Sequence, residues 1–266
     1  MADLLRRSLA PLSDAAWEEI DETASRILKA NLSARRIFHI DGPHGWQLGA
    51  VNLGRLEVSH EPGPAGQPWG TRQVLPLIET RIPITLGQME LDAIARGAKD
   101  ADLRPVEIAA RNAALAEESA VYQGFPPGGI QGVLQQATYP PIQLPEKVAA
   151  YPGMVACGIQ QMESAGIVGP YVLVLGPNPY YSLLQSTGPG HPPRRIIEDL
   201  TGQKILHSPV LEGGVLLGPA KDYFELVIGE DFAIGYFSHD REHVELYITE
   251  SFTFRVLEPA AAIALR

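Results

Sequence analysis

Residues 13–29 restrict what this chain can fold into more than any other stretch. Pro11-Leu12-Ser13-Asp14 leads into a segment where Trp17, Ile20, Ala24, Ile27 and Leu28 fall on one face of an α-helix. Ser13 suits the N-cap, because its hydroxyl can accept a hydrogen bond from a free amide of the first turn. Leu12 and Trp17 then occupy the two positions of a hydrophobic staple. Asp14, Glu18, Glu19, Asp21 and Glu22 crowd the start, whereas Arg26 and Lys29 come late, an order that complements the helix dipole. A helix with so defined an apolar face must lie on something, most simply the chain's own domain.

The next segments read as strands. Ile37 to Asp41 runs into the turn Gly42-Pro43-His44-Gly45. From Leu53 to Leu86 two strand-like runs, Gly54–Val58 and Gln73–Thr85, flank the turn-rich tip His60–Pro68. The pattern predicts a long β-hairpin with little apolar content at its end, an element that usually packs on a neighbour. A second helix is predicted from about Pro105 to Gln123, roughly 28 Å long. Ile108, Asn112, Leu115, Ser119 and Tyr122 share one stripe, beside Ala109, Ala113, Ala116 and Ala120. From Gly128 to about Leu217, short helices and strands alternate: helices near 152–165, 177–185 and 193–200, strands near 171–175 and Lys204. Near the end, Val244, Leu246, Ile248, Phe252, Phe254 and Val256 all fall on even numbers, one face of a continuous strand. Glu250 shares that face. A bulge would turn it outward; without one it is a buried acid that needs a partner.

Composition narrows the function classes. At 266 residues the chain has room for one large domain or two moderate ones. The single cysteine, Cys157, forms no internal disulfide and is expected in the core, on a helix face near Met154, Ile159 and Met162. No run approaches the roughly 18–20 apolar residues of a membrane span, and Met1–Ala10 lacks a signal-peptide pattern, so a cytoplasmic protein is expected. The net charge of -10 disfavours binding nucleic acid, which calls for basic patches.

Catalytic signatures are scarce. Gly213–Lys221 imitates a P-loop but places Pro219-Ala220 where Lys-Ser/Thr should stand. Gly188-Pro-Gly190 lacks the third glycine of a dinucleotide fingerprint. His239-Asp-Arg-Glu-His243 matches H-x-x-E-H, which on a helix would let two histidines share a zinc with Glu242 as general base. Strand-like residues on both sides place it at a hairpin tip instead, where the imidazoles diverge. No metal site, no cofactor and no catalytic constellation is expected. A zinc peptidase or bacteriocin acting through His239–His243 is the enzymatic alternative.

The element order resembles the major capsid proteins of tailed phages, an α+β fold. The wording of the sequence resembles the encapsulins, nanocompartment shell proteins of the linocin type. Collinear matches include Leu9-Ala-Pro-Leu12 with Trp17-x-x-Ile20-Asp21, Gly42-Pro43-x-Gly45-Trp46, Pro76-Leu-Ile-Glu79 and Glu90-Leu-Asp92. Gly169-Pro-Tyr171, Ile234-Gly-Tyr236 and Ile248-Thr-Glu-Ser-Phe-Thr-Phe254 continue the series. The resemblance implies a self-assembling icosahedral shell that encloses a ferritin-like protein or a dye-decolourising peroxidase, in iron storage or oxidative stress defence; a phage-type capsid is the structural alternative. It implies an N-terminal arm and helix (1–40), a peripheral domain with a long spine helix (41–52, 86–130 and 225–266), an extended hairpin loop (53–85) and an axial α/β domain (131–224). A cargo C-terminal peptide is implied in a luminal groove drawing on Arg35, Ile37 and His39 from one side and Ile234 and Tyr236 from the other; His39 stands where the family has an acidic residue. Gly188, Gly190 and His191 are implied to line a pore. Met89 replaces the tryptophan against which some relatives hold a flavin, and the hairpin contains no lysine for covalent crosslinking.

Overall fold

The computed structural model describes residues 4–186 and 192–266; the expected pore residues Gly188, Gly190 and His191 lie outside them. After one 3-10 turn at Arg7–Leu9 comes α1 (Asp14–Asn31). A short strand, β1 (His39–Asp41), precedes β2 (Ala50–Val58), β3 (Gly70–Pro76) and β4 (Ile78–Gly87). Helices α2 (Gln88–Ala95) and α3 (Arg104–Tyr122) follow. The next stretch alternates: α4 (Val133–Gln136), α5 (Tyr151–Ser164), β5 (Val172–Leu175), α6 (Pro177–Gln185), α7 (Pro193–Thr201), β6 (Leu206–His207), β7 (Gly214–Leu217) and α8 (Ala220–Tyr223). Strands β8 (Phe224–Ile228), β9 (Ala233–His239), β10 (His243–Val256) and β11 (Ala262–Leu265) close the chain.

The local signals of the first helix hold. The Ser13 side chain accepts from the Ala16 amide at 3.2 Å, and Leu12 and Trp17 pack against the same apolar cluster. Ala16, Ile20, Ala24 and Leu28 form the buried face. The hairpin divides at Leu77: β2 and β3 form a separate two-stranded arm, whereas β4 joins the body. Leu56, Val58 and Val74 on the arm are each more than half exposed.

The body holds two sheets. The larger one runs β1-β8-β10-β4, all antiparallel except β1 with β8. One edge of β10 pairs with β4 from His243 to Phe252; the opposite edge takes β9 and then β8. Strand β9 therefore pairs only with β10 and is an edge. The smaller sheet runs β11-β7-β5-β6. Its outer strand β11 comes from the 225–266 stretch expected in the peripheral unit, and Ile142 and Leu144 bond to it through Ala264 and Arg266.

Three elements cross from one apolar cluster to the other. In β10, Val244, Leu246 and Ile248 belong to the cluster under α1, whereas Phe252 and Phe254 belong to the cluster that includes the smaller sheet. In α3, Val106 to Ala114 lie in the first, and Ala120, Val121 and Tyr122 in the second. The α1–β1 connection crosses between Leu32 and Ile37. At the crossing each element presents an ionisable group: Glu250, Glu117 with Glu118, and Arg35. A polar seam therefore runs between two cores.

That seam corrects the bulge expected at Glu250. The register of β10 with β4 is continuous through Glu250↔Thr80, and the residue is 1% exposed. The only shift in β10 lies at Glu245/Leu246, on the β9 side. Helix α3 buries its alanine-rich side: Ala109, Ala110, Ala113 and Ala114 are buried, while Ile108 is 60% exposed. The small side chains let α1 and the sheet approach closely. Cys157, expected in the core, is exposed.

Candidate functional site

A groove of about 730 Å³ lies between α1 and the start of β9. Ala24, Leu28, Leu32, Phe232, Ile234 and Ile248 supply its apolar lining; Arg7, Asp21, Lys29, Arg35, Arg36 and Asp231 supply its polar rim. The helix contributes residues at three- and four-residue spacing, so one stripe faces the groove along two turns.

Arg35 anchors the floor. Its Nε and Nη2 donate to the Glu117 carboxylate at 2.6–3.0 Å, its Nη1 donates to Asp231 at 2.8 Å, and its Nη2 also donates to Glu250. Phe232 stacks on the guanidinium at 4.7 Å. Burial alone would lower the Arg35 pKa, but Glu117, Glu250 and Asp231 together raise it, so the cation is permanent. Glu250 moves the other way from an ordinary carboxylate. Desolvation, then the charge of Glu117, push its pKa well up, and the opposing pull of Arg35 does not win. Glu250 thus holds its proton more tightly than an exposed carboxyl does, in a cluster where one guanidinium faces three carboxyl groups.

A second buried acid lies next along the helix. Glu118 accepts from the hydroxyls of Ser33 and Ser208, each at 2.6 Å, and from the Ala34 amide at 2.7 Å. Among the described residues no ion pair to it is seen, and desolvation raises its pKa despite these donors. It ties the α1–β1 connection to α3 and to the smaller sheet.

One end of the groove is closed by the residues before α1. The Tyr236 amide donates to the Leu5 carbonyl at 2.8 Å, and the Tyr247 hydroxyl donates to the Leu4 carbonyl at 3.2 Å. Arg7 pairs with Asp21 at 2.6 Å and lies 3.9 Å over the Trp17 ring. Gly235 is required here for space: a Cβ would come 2.4 Å from the Tyr247 ring.

Of the expected groove residues, the structure brings Arg35 and Ile234 to the lining. Ile37 is instead buried in the core beside Phe38, His39 is exposed on β1, and Tyr236 donates or accepts a 2.5 Å hydrogen bond with His239 beyond the groove's end. Leu28, Leu32 and Phe232 were missed as lining. Leu28 shows only as part of the helix stripe, and nothing local marks Phe232. The H-x-x-E-H stretch is the β9–β10 turn: His239 ends one strand, His243 begins the next, and Asp240 accepts from the amides of Glu242 and His243 at 2.7 Å. Among the described residues no group of three or more metal-ligating side chains converges.

An N-terminal helix, a projecting two-stranded arm, a spine helix across a long-stranded sheet and a second α/β sheet define a capsid-like α+β fold. A virus-like particle subunit from Pyrococcus furiosus superposes with a TM-score of 0.67, covering 94% of this chain and 98% of that one at 14% identity. The capsid of Myoviridae phage XM1 does so at 0.54, over 88% and 90%, at 15% identity. Sequence relationship goes further. The family model described as an encapsulating protein for peroxidase matches residues 2–253. The type 1 encapsulin shell protein of Rhodospirillum rubrum is 42% identical over 100% of this chain and 97% of its own length. That of Rhodococcus erythropolis is 37% identical over 98% of each, and that of Mycobacterium tuberculosis 33% over 98% of each. The chain belongs to the encapsulin shell proteins, a family of structural subunits and not of enzymes. Among the described residues, no helix is long and apolar enough to cross a membrane.

Proposed function

We propose that this subunit assembles with copies of itself into a closed icosahedral compartment in the cytoplasm, enclosing a cargo enzyme held by its C-terminal peptide. The observation that carries the reading is the family match from residue 2 to residue 253. The description of that family favours a peroxidase over a ferritin-like protein as cargo, and with it a role in oxidative stress defence over iron storage. The groove between α1 and β9 is the docking site in this reading, with Arg35 and Ile234 on its surface. Ile37, His39 and Tyr236 lie off that lining, so the docking contacts proposed for this chain fall on Arg35 and Ile234. In the assembled shell, residues 131–224 surround the five-fold axis and the 53–85 arm lies on a neighbouring subunit.

The groove suits such a peptide chemically. Its lining is apolar where side chains would insert and charged where a backbone would be wet. Along β9, the outward-pointing Tyr236 amide fixes the direction of the Ile234 amide two residues earlier, since alternate residues of a strand share an edge. That amide opens onto the groove and offers a strand-like register to an extended chain.

Size-exclusion chromatography with negative-stain imaging tests assembly: hollow megadalton particles are expected, and a stable 28.8 kDa monomer or a dimer overturns the proposal. Phe232→Ala, at a partly buried lining position, tests docking. Shells are expected to form as before with less of the co-purifying enzyme inside; retention of cargo at wild-type levels places docking elsewhere.

A further inference from the structure

The groove is electrically lopsided. Helix α1 and strand β9 run past each other in opposite directions: Asp231, before β9, meets Arg35 beyond the end of α1, whereas Tyr236 is bonded to Leu5 and Arg7 meets Asp21. At the Arg7 end the charges cancel within the chain, Arg7 against Asp21. At the other end Glu117, Asp231 and Glu250 answer Arg35. Lys29 and Arg36 remain. Both line the groove and are exposed, and among the described residues neither enters an ion pair.

Arg36 is placed by the helix itself. Its Nη2 donates to the Lys29 carbonyl at 2.6 Å, one of the carbonyls that the last helical turn leaves open. That bond holds the guanidinium at the end of α1, and the guanidinium keeps further N–H donors for an incoming oxygen. The dimensions suit a short peptide. Asp21 to Leu32 covers about 17 Å of helix, the length of about five extended residues. On the opposite wall Ile234 turns both its amide and its carbonyl away from β10, because the Tyr236 amide two residues on points to Leu5.

We propose that Lys29 and Arg36 receive the terminal carboxylate of the docked peptide, so that the peptide lies with its C-terminus at the last turn of α1 and antiparallel to β9. This rests on the groove being the peptide site. A carboxylate meets two such cations at this end, whereas at the opposite end it would face the Asp21 carboxylate. Antiparallel pairing also lets Ile234 exchange both of its backbone bonds with one peptide residue. The terminal group thereby sets register as well as direction. Apolar side chains that reach Leu28, Phe232 and Ile234 must stand within about five residues of the peptide's end.

The test compares one peptide in two forms. Shells are dissociated and reassembled with a fluorescein-labelled synthetic peptide copying the C-terminal segment of the co-purifying enzyme, as the free acid or as the C-terminal amide. Anisotropy of the gel-filtered particles separates bound peptide from peptide merely enclosed, and a concentration series gives the affinity. The free acid is expected to bind wild type about three- to tenfold more tightly than the amide, the weight of two exposed ion pairs. That preference disappears in the Lys29→Ala, Arg36→Ala double variant and shrinks in wild type as salt rises. Lys29→Ala alone gives an intermediate preference and stands in if loss of the Arg36 side chain prevents assembly. Equal affinity of the two forms for wild type overturns the proposal, as does tighter binding of the amide. Equal weakening of both forms by the double variant assigns the cations to a side chain of the peptide and overturns it too. Phe232→Ala keeps the two readings apart, because it weakens both forms if the groove is the peptide site. If it weakens neither, or if no shell binds either form, the groove reading falls and the carboxylate site with it.

Discussion

Glu250 and Arg35 set the chemistry of the seam. The folded Glu250 pKa lies above the ordinary 4.5, so the native state holds that proton more tightly than the unfolded chain does. Its stabilising contribution is therefore complete below about pH 4.5 and is lost as pH rises through the folded value. Glu118 is shifted in the same direction. The melting temperature of the shell is expected to fall from mildly acidic toward alkaline pH, and Glu250→Gln, which mimics the neutral acid, is expected to flatten that slope. A slope unchanged by the substitution would remove Glu250 as its source. Arg35→Ala leaves Glu117 buried without its cation and is expected to cost about 3–5 kcal/mol by denaturant unfolding. The sequence reading recognised Glu250 as either turned out or in need of a partner. It did not identify the partner, because Arg35 lies 215 positions away and only the crossing of three elements unites them.

At the scale of elements, the first helix was legible because its signals are local: the Ser13 cap, the Leu12–Trp17 staple and a stripe of large side chains. The spine helix was legible as an alanine-rich side beside a stripe of larger residues, and it is the alanine-rich side that is buried. Its large residue Ile108 faces out, and between Val106 and Ala114 the buried side is mostly alanine, whose small surface gives little periodic signal. Close packing of α1 and the sheet selects alanine there, an effect that appears only when the neighbours are in place. Replacing one of those alanines with a large residue tests this. Ala113→Leu, on the buried face, is expected to destabilise the subunit by about 1–3 kcal/mol through overpacking, measured by denaturant unfolding. Ile108→Ala on the exposed side should be nearly silent in the unassembled subunit. The groove was legible only in part: Ile234 stands in a matching stretch and Arg35 is implied by the resemblance, whereas Leu28, Leu32 and Phe232 become a lining only through the meeting of α1 with β9.

Over the whole molecule, β11 joins the two sheets into one folding unit. The last four strand residues lie beyond the larger sheet, yet they complete the smaller one, and all four are buried. Burying Ile263 and Leu265 alone is worth about 3–6 kcal/mol, a large part of the stability of an ordinary domain. Removal of residues 259–266 is therefore expected to abolish shells and yield aggregated subunit in size-exclusion chromatography; intact particles from that truncation would show that the smaller sheet stands without its edge. The order of helices and strands was legible in the sequence as a succession of patterns. This return was not, since four apolar residues at a chain end carry no mark of the sheet they will join.

The pairing of β4 with β10 has a mechanical consequence. The arm formed by β2 and β3 connects to the body through β4, whose ten residues are paired without interruption along β10. A pull on the arm directed along β4 loads those hydrogen bonds side by side, in shear, instead of opening them one after another. β10 in turn grips β8 and β9 on its far edge, so tension applied at one rim of the subunit spreads through the sheet before any single bond must break. A container wall made of such parts would resist swelling from within by distributing the load, with each subunit acting as a tie.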